Sequence, residues 1–380
     1  MGRLLHRDLK ERLVRHIAAG SYGPDQPLPK IADLAAIFGA STKTVQKAIH
    51  ELSAEGVLSA RRGKGLFVCP AHARGGRGRC IGLLLSKRDA SYLERSPWPR
   101  EVVRRLCAEV QRRGYRVRPC PLGGLSPLAV ADHVRRRRFA GLVAFEIEND
   151  TLLQDLRELG LPLISVDYDA FHVGIPSAVF DNAFGTFAAT KHLLSLGHRD
   201  IVALRPWLEF GHGGRRYLSP IDDQRLLGFR LAMQDAGLPV FIDEHPHEES
   251  RLREEVRRLL AGSRPPSAIV CVADEKALLV ARTAIELGRH VPRDLSVVGF
   301  GDLGLEYAPG RRLTSVRLDF AEMARRAAEL LLGEMEHPGA ELRRHVAPAE
   351  LAVHDSTGEP GRAAAAGPDR AGQPEADEVL

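Results

Sequence analysis

The chain lacks any run of about 18 apolar residues of the kind that spans a membrane, and Arg3 and Arg7 interrupt its start. A signal peptide needs an uncharged apolar core, so secretion is not expected and we expect a cytoplasmic protein. The 5 cysteines are odd in number and never spaced as Cys-x-x-Cys, which argues against a disulfide framework and a zinc ribbon. With 6% aromatic and 27% charged residues, the 380-residue chain has the composition of an ordinary globular protein of two or three domains.

Positive charge is concentrated at the start of the chain. Residues 1–79 contain 14 Lys and Arg against 6 Asp and Glu, a net charge of +8, whereas the whole chain carries +5. The remainder is therefore slightly acidic. A basic segment of this kind is expected to face a polyanion such as nucleic acid.

Helical periodicity dominates the first fifty residues. Apolar residues three or four apart predict helices over about 3–19 and 30–38, and a third helix that begins near Ser41, a good helix cap. The glycine turn at Gly39 joins the second and third helices into a helix-turn-helix. Five polar residues of the third helix are expected to face outward: Thr42, Lys43, Gln46, Lys47 and His50.

Short apolar runs follow at 57–60 and 65–68, on either side of the basic turn Arg61-Arg62-Gly63-Lys64. They predict a hairpin with a basic tip, a wing that completes a DNA-binding domain over 1–68. Residues 69–79 are rich in Gly and Arg and have no apolar period, so they predict a flexible linker.

An alternation of short apolar runs and amphipathic helices begins at Cys80 and predicts an α/β domain with parallel sheets over 80–354. From 355 to 380 large apolar residues become rare, and a disordered tail is expected. The apolar runs lie at 81–85, 141–145, 163–166, 201–204, 268–272 and 296–300.

The first 68 residues resemble the winged helix of the GntR family through Leu28-Pro29, Ser41–Ala48, Leu52–Leu58 and Gly63–Val68. Thr42 and Gln46 stand where that family usually has arginine, so guanine readout by a bidentate arginine is weakened, because neither side chain presents a guanidinium fork. The resemblance implies DNA contacts from the start of the second helix, the third helix and the wing. These positions map to Lys30, Thr42, Lys43, Thr44, Gln46, Lys47 and Lys64.

Residues 80–354 resemble the sensor domain of the LacI/GalR family through Leu161–Asp167, Asp181-Asn182, His192–Ile201 and Val291–Phe300. The resemblance implies a two-lobed, periplasmic-binding-protein-like (type I) fold with an effector cleft and three chain crossovers as its hinge. Together with the first domain, it is similar to the arabinose-repressor type of GntR protein. The implied effector-binding residues are Ser86, Trp98, Asp167, Arg225, Asp274 and Asp302.

Two positions depart from the sugar-binding members of this family. Ala273 and Gly301 stand where those relatives usually have Asn and Asp, so two groups that would bond sugar hydroxyls are absent. For Trp98, stacking on a ligand and packing in the core are both open. Asp167 and Arg225 are favoured as cleft residues over surface ion-pair partners.

The function expected from these features is that of a homodimeric, ligand-responsive transcription regulator. Repression is expected from the family resemblance, with double-stranded DNA, a palindromic operator, as one partner and a small sugar or sugar derivative as effector. No cofactor, metal, membrane partner or catalytic residue is expected. The alternatives are a solute-binding protein of a transport system and an α/β enzyme, which would need a catalytic constellation that the sequence does not offer.

Two further patterns suggest nucleotide or nucleic-acid binding. Gly299-x-Gly301-x-x-Gly304 follows a strand, as a dinucleotide fingerprint does, but Pro309 and Gly310 break the segment that should open a helix. The four arginines 135–138 stand at a helix end, where a solvated role is favoured over a second nucleic-acid patch.

Two other patterns suggest a metal or catalysis. Residues 243–249 carry metal-capable side chains, yet Pro246 and the lack of helical spacing favour a solvated loop. His198 has no Ser or Cys nucleophile motif beside it, and a turn-stabilising role is favoured.

Overall fold

Two bodies with separate hydrophobic cores, one helical and one α/β, make up the computed structural model. It describes residues 6–18, 22, 26–54, 57–61, 65–68, 79–85, 97–210, 215–339 and 341–361. In chain order the elements are α1 (His6–Ala18), α2 (Ile31–Phe38), α3 (Thr42–Ala54), β1 (Leu58–Arg61), β2 (Gly65–Val68), β3 (Cys80–Leu85), α4 (Pro97–Arg112), β4 (Arg116–Pro121), α5 (Pro127–Arg135), β5 (Gly141–Phe145), α6 (Asp150–Arg157), β6 (Leu163–Val166), β7 (Ser177–Phe180), α7 (Asn182–Ser195), β8 (Ile201–Phe210), β9 (Arg215–Tyr217), α8 (Pro220–Asp235), β10 (Phe241–Pro246), α9 (Glu249–Ala261), β11 (Ala268–Cys271), α10 (Asp274–Glu286), β12 (Ser296–Gly301), β13 (Glu306–Ala308), β14 (Arg311–Arg312), β15 (Thr314–Leu318), α11 (Phe320–Glu336), β16 (Arg344–Ala347) and β17 (Ala349–Ala352).

The first body is a winged helix-turn-helix, as the sequence predicts. Helix α2 ends at Gly39, whose φ of +61° is a backbone conformation that glycine adopts at little cost. Strands β1 and β2 pair antiparallel to form the wing. The apolar faces of the three helices form the core of this body, with Leu13 from α1, Leu34 from α2 and Val45 from α3.

The second body has two lobes, each a sheet with helices on both faces. In lobe 1 the strand order is β16-β7-β6-β5-β3-β4, and every pair is parallel. In lobe 2 the order is β10-β8-β11-β12-β15-β17, parallel except for the last pair. This is the two-lobed α/β fold that the sequence predicts.

The chain passes between the lobes at three places. Strand β7 of lobe 1 is followed by α7 of lobe 2, and β15 of lobe 2 by α11, which packs on α4 and β7 of lobe 1. Strand β16 of lobe 1 is followed at once by β17 of lobe 2. Three short crossovers of this kind form a hinge, because few backbone torsions separate the lobes.

Strand ends at the cleft carry polar residues in an uncommon backbone conformation. Glu146 follows β5, Asp167 follows β6 and Asp302 follows β12, with φ values of 49°, 74° and 47°. Non-glycine residues seldom have positive φ, and such residues tend to mark functional sites. In parallel sheets the carboxyl ends of the strands are also where ligands bind.

The disordered tail predicted from residue 355 begins too early. Ser356 is fully buried: its Oγ donates to the Val297 carbonyl at 2.6 Å and accepts from the Thr314 amide at 2.8 Å. The Gly358 carbonyl lies 2.9 Å from Nε2 of the buried His198. The described residues up to 361 are therefore part of lobe 2.

Two local predictions have different outcomes. His198 also contacts the hydroxyls of Ser267 and Ser296 at 2.9 and 3.0 Å, so its role is structural, as expected for a turn. The solvated loop predicted over 243–249 is wrong for its first part, because Phe241–Pro246 is strand β10 and His245 is buried.

Within the described ranges, no helix is long and apolar enough to cross a membrane, and no cluster of side chains is arranged to hold a metal ion. Between β12 and β15 the chain forms only the small hairpin β13–β14, so no helix follows the glycine pattern at 299–304. The predicted linker 69–79, apart from Arg79, lies outside the described residues.

We expect a chain that ends at Asp355 to be less stable than one that ends at Gly361. The shorter chain loses the Ser356 and Gly358 hydrogen bonds and leaves buried groups of Val297, Thr314 and His198 without them, at about 1–3 kcal/mol for each. Both chains lack residues 362–380, so urea unfolding of the two isolates the contribution of 356–361. Equal unfolding free energies would contradict the assignment of this segment to lobe 2.

Candidate functional site

The exposed side of α3 forms one candidate site, called the recognition face. The five residues predicted to face outward, Thr42, Lys43, Gln46, Lys47 and His50, are all exposed, and Lys30 is exposed just before α2. Thr44 is half-buried, and its backbone and hydroxyl both contact Ser41 Oγ, at 3.1 and 2.7 Å. Ser41 thus caps α3 by accepting from the Thr44 amide, whereas Lys30, Thr42, Lys43, Gln46 and Lys47 present cations and hydrogen-bonding groups to solvent.

Lys64, at the tip of the wing, lies outside the described residues, although both wing strands are described. Ser86, one of the residues implied for the effector cleft, also lies outside them. The roles of Lys64 and Ser86 therefore stay predictions from the sequence.

Asp167 is the most unusual side chain in the cleft. It is 2% exposed, and among the described residues no hydrogen-bond donor reaches its Oδ1 atom. Burial raises the pKa of Asp167 to about 8, partly opposed by the positive charge of Arg225 and reinforced by Glu146, Glu148 and Asp222. A buried acceptor with no donor is costly, and such a group is a natural place for a ligand to bind.

Arg225 is held in place by contacts within lobe 2. Nε donates to Asn182 Oδ1 at 3.0 Å and Nη1 donates to the Val272 carbonyl at 2.7 Å, while the guanidinium lies 4.2 Å from the centre of the Phe300 ring. Only 9% of the residue is exposed. The structure brings Arg225 and Asp167 into one electrostatic cluster, but Arg225 also anchors α8 to its neighbours. Replacing it with alanine would therefore test folding as well as ligand binding.

Glu148 connects the two lobes. It follows β5 of lobe 1, and its Oε2 accepts hydrogen bonds from Tyr217 Oη at 2.9 Å and from Ser219 Oγ at 2.7 Å, both in lobe 2. Burial, with a further contribution from Glu148, raises the pKa of Tyr217, so its phenol remains a donor. Ile221, two residues beyond Ser219, belongs to the apolar cluster of lobe 1. The start of α8 is thus in contact with lobe 1.

Asp222 lies one helical turn before Arg225, and its Oδ1 is 3.7 Å from Arg225 Nη1. Burial raises the pKa of Asp222 to about 6, against the lowering effect of Arg225, while Glu148 raises it. We name Glu148, Asp167, Asp222 and Arg225 the cleft cluster. Glu146 also faces Asp167 and has further contacts of its own.

Asp274, implied as an effector residue, has both of its carboxylate oxygens occupied. Oδ1 accepts from Ser315 Oγ at 2.5 Å and Oδ2 accepts from the Leu303 amide at 2.7 Å. A Cβ on Gly299 would lie 2.2 Å from Oδ1, so only glycine permits this approach. Asp274 fixes the loop after β12, and its geometry gives it a positioning role.

Asp302 lies in a different ionic group. Its oxygens are 2.7 Å from Arg317 Nε, 3.3 Å from Arg312 Nη2 and 3.3 Å from His354 Nε2. The structure does not bring Asp302 into the cleft cluster. The sequence resemblance aligned it with a ligand position but could not indicate these three partners.

Trp98 is half-buried at the start of α4, in lobe 1. Its ring centroid lies 5.6 Å from that of Phe145 and 6.4 Å from that of Phe320. These contacts account for its packing and leave part of the ring accessible. Stacking on a ligand stays a prediction.

The sequence reasoning missed Glu148, Tyr217, Ser219 and Asp222. One signal was present: Glu148 follows a buried strand as Asp167 does, at the edge where ligands bind in parallel sheets. Tyr217 and Ser219 stand close to Arg225 in sequence, but their contact with lobe 1 spans about 70 residues and depends on the fold.

Comparison with known proteins gives two family matches. Residues 5–68 match the bacterial regulatory proteins of the gntR family, and residues 190–357 match the periplasmic binding protein-like domain. One relative is the arabinose metabolism transcriptional repressor of Geobacillus stearothermophilus, 28% identical over 368 residues that cover 92% of this chain and 97% of the relative.

Solved structures share the fold. A LacI transcriptional regulator from a Rhodococcus species aligns with a TM-score of 0.62 at 24% identity, over 74% of this chain and 98% of that one. The complex of the transcriptional regulator CelR with cellobiose aligns with a TM-score of 0.63 at 22% identity, over 87% of this chain and all (100%) of that one.

We expect Asp167→Asn to raise the unfolding free energy, and to do so more at higher pH. Because folding raises the pKa of Asp167 from 3.8 to about 8, the folded state keeps a proton that the unfolded state has lost between those values. Wild-type stability from this group is thus greatest below pH 4 and falls as the pH rises toward 8. Because the asparagine side chain does not titrate, the stability of the variant has no such dependence on pH at this position.

The measurement is urea unfolding at pH 5 and pH 8, with the exposed Asp132→Asn as the matched control. The gain from Asp167→Asn should be larger at pH 8 by a few kcal/mol, and Asp132→Asn should show no such trend. If the gain in unfolding free energy is unchanged or smaller at pH 8, folding does not raise the pKa of Asp167.

Proposed function

We propose that this chain represses carbohydrate-metabolism genes until a sugar-like effector enters the cleft. It combines a gntR-family DNA-binding domain with a periplasmic-binding-protein-like domain and is thereby a DNA-binding transcription regulator. The relative from Geobacillus stearothermophilus is named as a repressor of arabinose metabolism, which supports both the direction of control and the chemical class. The CelR structure contains cellobiose, again a sugar.

The observation that carries this proposal is the contact between Glu148 of lobe 1 and the start of α8 in lobe 2. Ser219 and Tyr217 donate to one carboxylate oxygen across the cleft, and the buried Oδ1 of Asp167 lies in the same cluster. A ligand with several hydroxyls can donate to Asp167 while the lobes are together. It thereby binds one arrangement of the lobes more tightly than another, which is what a switch requires.

On the DNA side, the recognition face supplies two kinds of contact. Lys43 and Lys47 suit phosphate oxygens, and Gln46 can read an adenine edge in the major groove. One winged helix covers only a few base pairs, so we propose that a homodimer binds a palindromic operator. A cytoplasmic location belongs to this proposal, because the operator is there.

Two rival functions make different predictions. A solute-binding protein would bind its ligand without any effect on DNA, and an α/β enzyme would turn its ligand over. The relative's name and the gntR-family match favour regulation over both. We propose that the chain has no catalytic activity, and incubation with the effector should return it unchanged.

We expect the triple variant Lys43→Ala, Lys47→Ala and Lys64→Ala to bind operator DNA more weakly at every sequence. Each lost phosphate contact should lower the slope of log affinity against log salt by about one unit, because fewer counterions are released. Electrophoretic mobility shifts at several salt concentrations measure this slope.

The control removes the same charge from exposed positions of the second body. Arg104→Ala, Arg112→Ala and Arg251→Ala also remove three positive charges but leave the recognition face intact. This control should keep the wild-type slope. Equal losses in the two triple variants would mean that net charge, and not this face, determines DNA binding.

We expect Tyr217→Phe to raise the effector concentration needed for release of the operator by roughly fivefold. The change removes one donor to Glu148 and leaves the ring in place, at a cost of about 1 kcal/mol to the closed lobes. The matched control is Tyr307→Phe, whose hydroxyl bonds the Asp355 carbonyl within lobe 2.

The effector for this test comes from a thermal-shift screen of mono-, di- and acidic sugars, beginning with arabinose, since a ligand stabilises the folded state it binds. Operator release is then titrated for wild type and both variants. A Tyr217→Phe response equal to that of the wild type would remove the contact with Glu148 from the switch.

A further inference from the structure

The cleft cluster has more negative than positive charge. Within it, Glu148, Asp167 and Asp222 are carboxylates, and Arg225 is the one guanidinium. Glu148 accepts hydrogen bonds from the uncharged hydroxyls of Tyr217 and Ser219, which do not neutralise it. A negative excess in a buried, low-dielectric cleft favours any ligand that brings a positive charge.

Arg225 relieves this excess at Asp167 only in part, through its charge, and none of its hydrogen bonds goes to Asp167. Its guanidinium donates to Asn182 and to the Val272 carbonyl, lies against the Phe300 ring, and has Asp222 as its nearest carboxylate at 3.7 Å. Asp167 Oδ1 has no hydrogen-bond donor, although the residue is 2% exposed. A buried carboxylate oxygen is therefore available to a ligand.

The chemistry of this oxygen distinguishes three classes of ligand. A sugar acid or phosphate would place a further negative charge in the field of Glu148 and Asp222, which repel it. A neutral hydroxyl can donate to Oδ1 but does not compensate the charge of the ionised form of Asp167. A protonated amine donates a hydrogen bond and compensates the charge, and such charge-assisted bonds are about twice as strong as neutral ones. No side chains of the described residues form a cluster suited to a metal ion, so an organic cation is favoured.

We propose that the effector is a polyhydroxylated amine, such as an amino sugar, whose ammonium group binds Asp167 while its hydroxyls bond the rest of the cleft cluster. This inference rests on the proposed function, because it concerns the ligand of the same cleft. It differs from the proposed function in requiring a positive charge on the effector, which neutral sugars lack.

Proton exchange should accompany this binding. Burial raises the pKa of Asp167 to about 8, in the field of Glu146, Glu148, Asp222 and Arg225, so the carboxyl group is mainly protonated at pH 7. Pairing with an ammonium stabilises the ionised form, and the proton leaves. Below pH 8 the affinity for the amine therefore rises with pH, by up to tenfold per unit, whereas the affinity for a neutral sugar has no such cause to rise.

The test uses matched triplets that differ in one substituent: glucose, glucosamine and glucuronate, with the corresponding galactose and mannose series. Isothermal titration of the full-length protein at pH 7 is run in phosphate and in Tris, whose different ionisation heats report proton release. We expect one amino sugar to bind roughly tenfold to a hundredfold more tightly than its hydroxyl partner, with proton release, and the acid to bind most weakly.

The variants identify the residue. Asp167→Asn should abolish both the preference for the amine and the proton release, whereas Asp132→Asn, exposed on α5, should preserve both. Cooperative urea unfolding of the second body, measured in parallel, shows that each variant is folded around the cleft. Retention of the amine preference in Asp167→Asn would overturn the assignment.

The remaining outcomes separate this inference from the proposed function. If neutral sugars bind as well as or better than the amines and release the operator, the proposed function stands and the inference fails. If the acids bind best, the inference also fails. If no member of any triplet binds while the operator is still bound, both the inference and the sugar-like class of effector are wrong.

Discussion

Asp167 carries an ionisable carboxyl group between the two lobes, and only 2% of the residue is exposed. The positive charge of Arg225 offsets part of the free-energy cost of burying this group in its charged form. Water would solvate this carboxylate in an open cleft, so the cost of burial depends on how closely lobe 2 approaches lobe 1. The side chains that cover it come from both lobes. Closure and the protonation of Asp167 are therefore linked, and under the proposed function the affinity for ligand is linked to both.

Helix α8 connects this site with the rest of lobe 2. Its start contacts Glu148 of lobe 1, and Arg225 in its second turn bonds the end of β11 and lies on a ring of β12. Gly228, one turn further, allows α8 to touch α7, since a Cβ there would lie 2.0 Å from the Ala183 carbonyl oxygen. A rigid helix fixed at these points moves as a unit, so a displacement at Ser219 is passed to α7 next to the hinge.

The apolar pattern of the sequence predicts the central strands of the sheets, but it does not predict the edge strands or the last described segment of lobe 2. Buried strands such as Gly141–Phe145 and Leu163–Val166 are continuous apolar runs, and their bounds are the predicted ones. Strands β4 and β10 lie at sheet edges, where Arg, Asp and Pro are tolerated, so they have no such pattern. The buried segment around Ser356 has few apolar side chains and is held by hydrogen bonds to β12 and β15.

The cleft residues show a similar division. Asp167 and Arg225 could be aligned through resemblance, because their positions follow from the order of strands and helices. The occupied oxygens of Asp274 and Asp302 could not be foreseen, since their partners, such as Ser315, Arg317 and His354, lie in other elements. Sequence reasoning thus proposed the cleft residues, whereas only the three-dimensional contacts distinguish a carboxylate oxygen without a partner, as in Asp167, from those that position a loop, as in Asp274.

The cost of burying Asp167 also explains how a weakly held ligand could control DNA binding. A ligand shifts an equilibrium between two lobe arrangements only by the difference between its affinities for them. If a ligand donated equally to exposed groups in both arrangements, that difference would be small. A donor to Asp167 Oδ1 would gain most where that oxygen is buried and unpartnered, as it is while Ser219 and Ile221 lie against lobe 1. Under the proposed function, the unfavourable burial of Asp167 in the absence of ligand would supply the differential affinity that a ligand-responsive regulator requires.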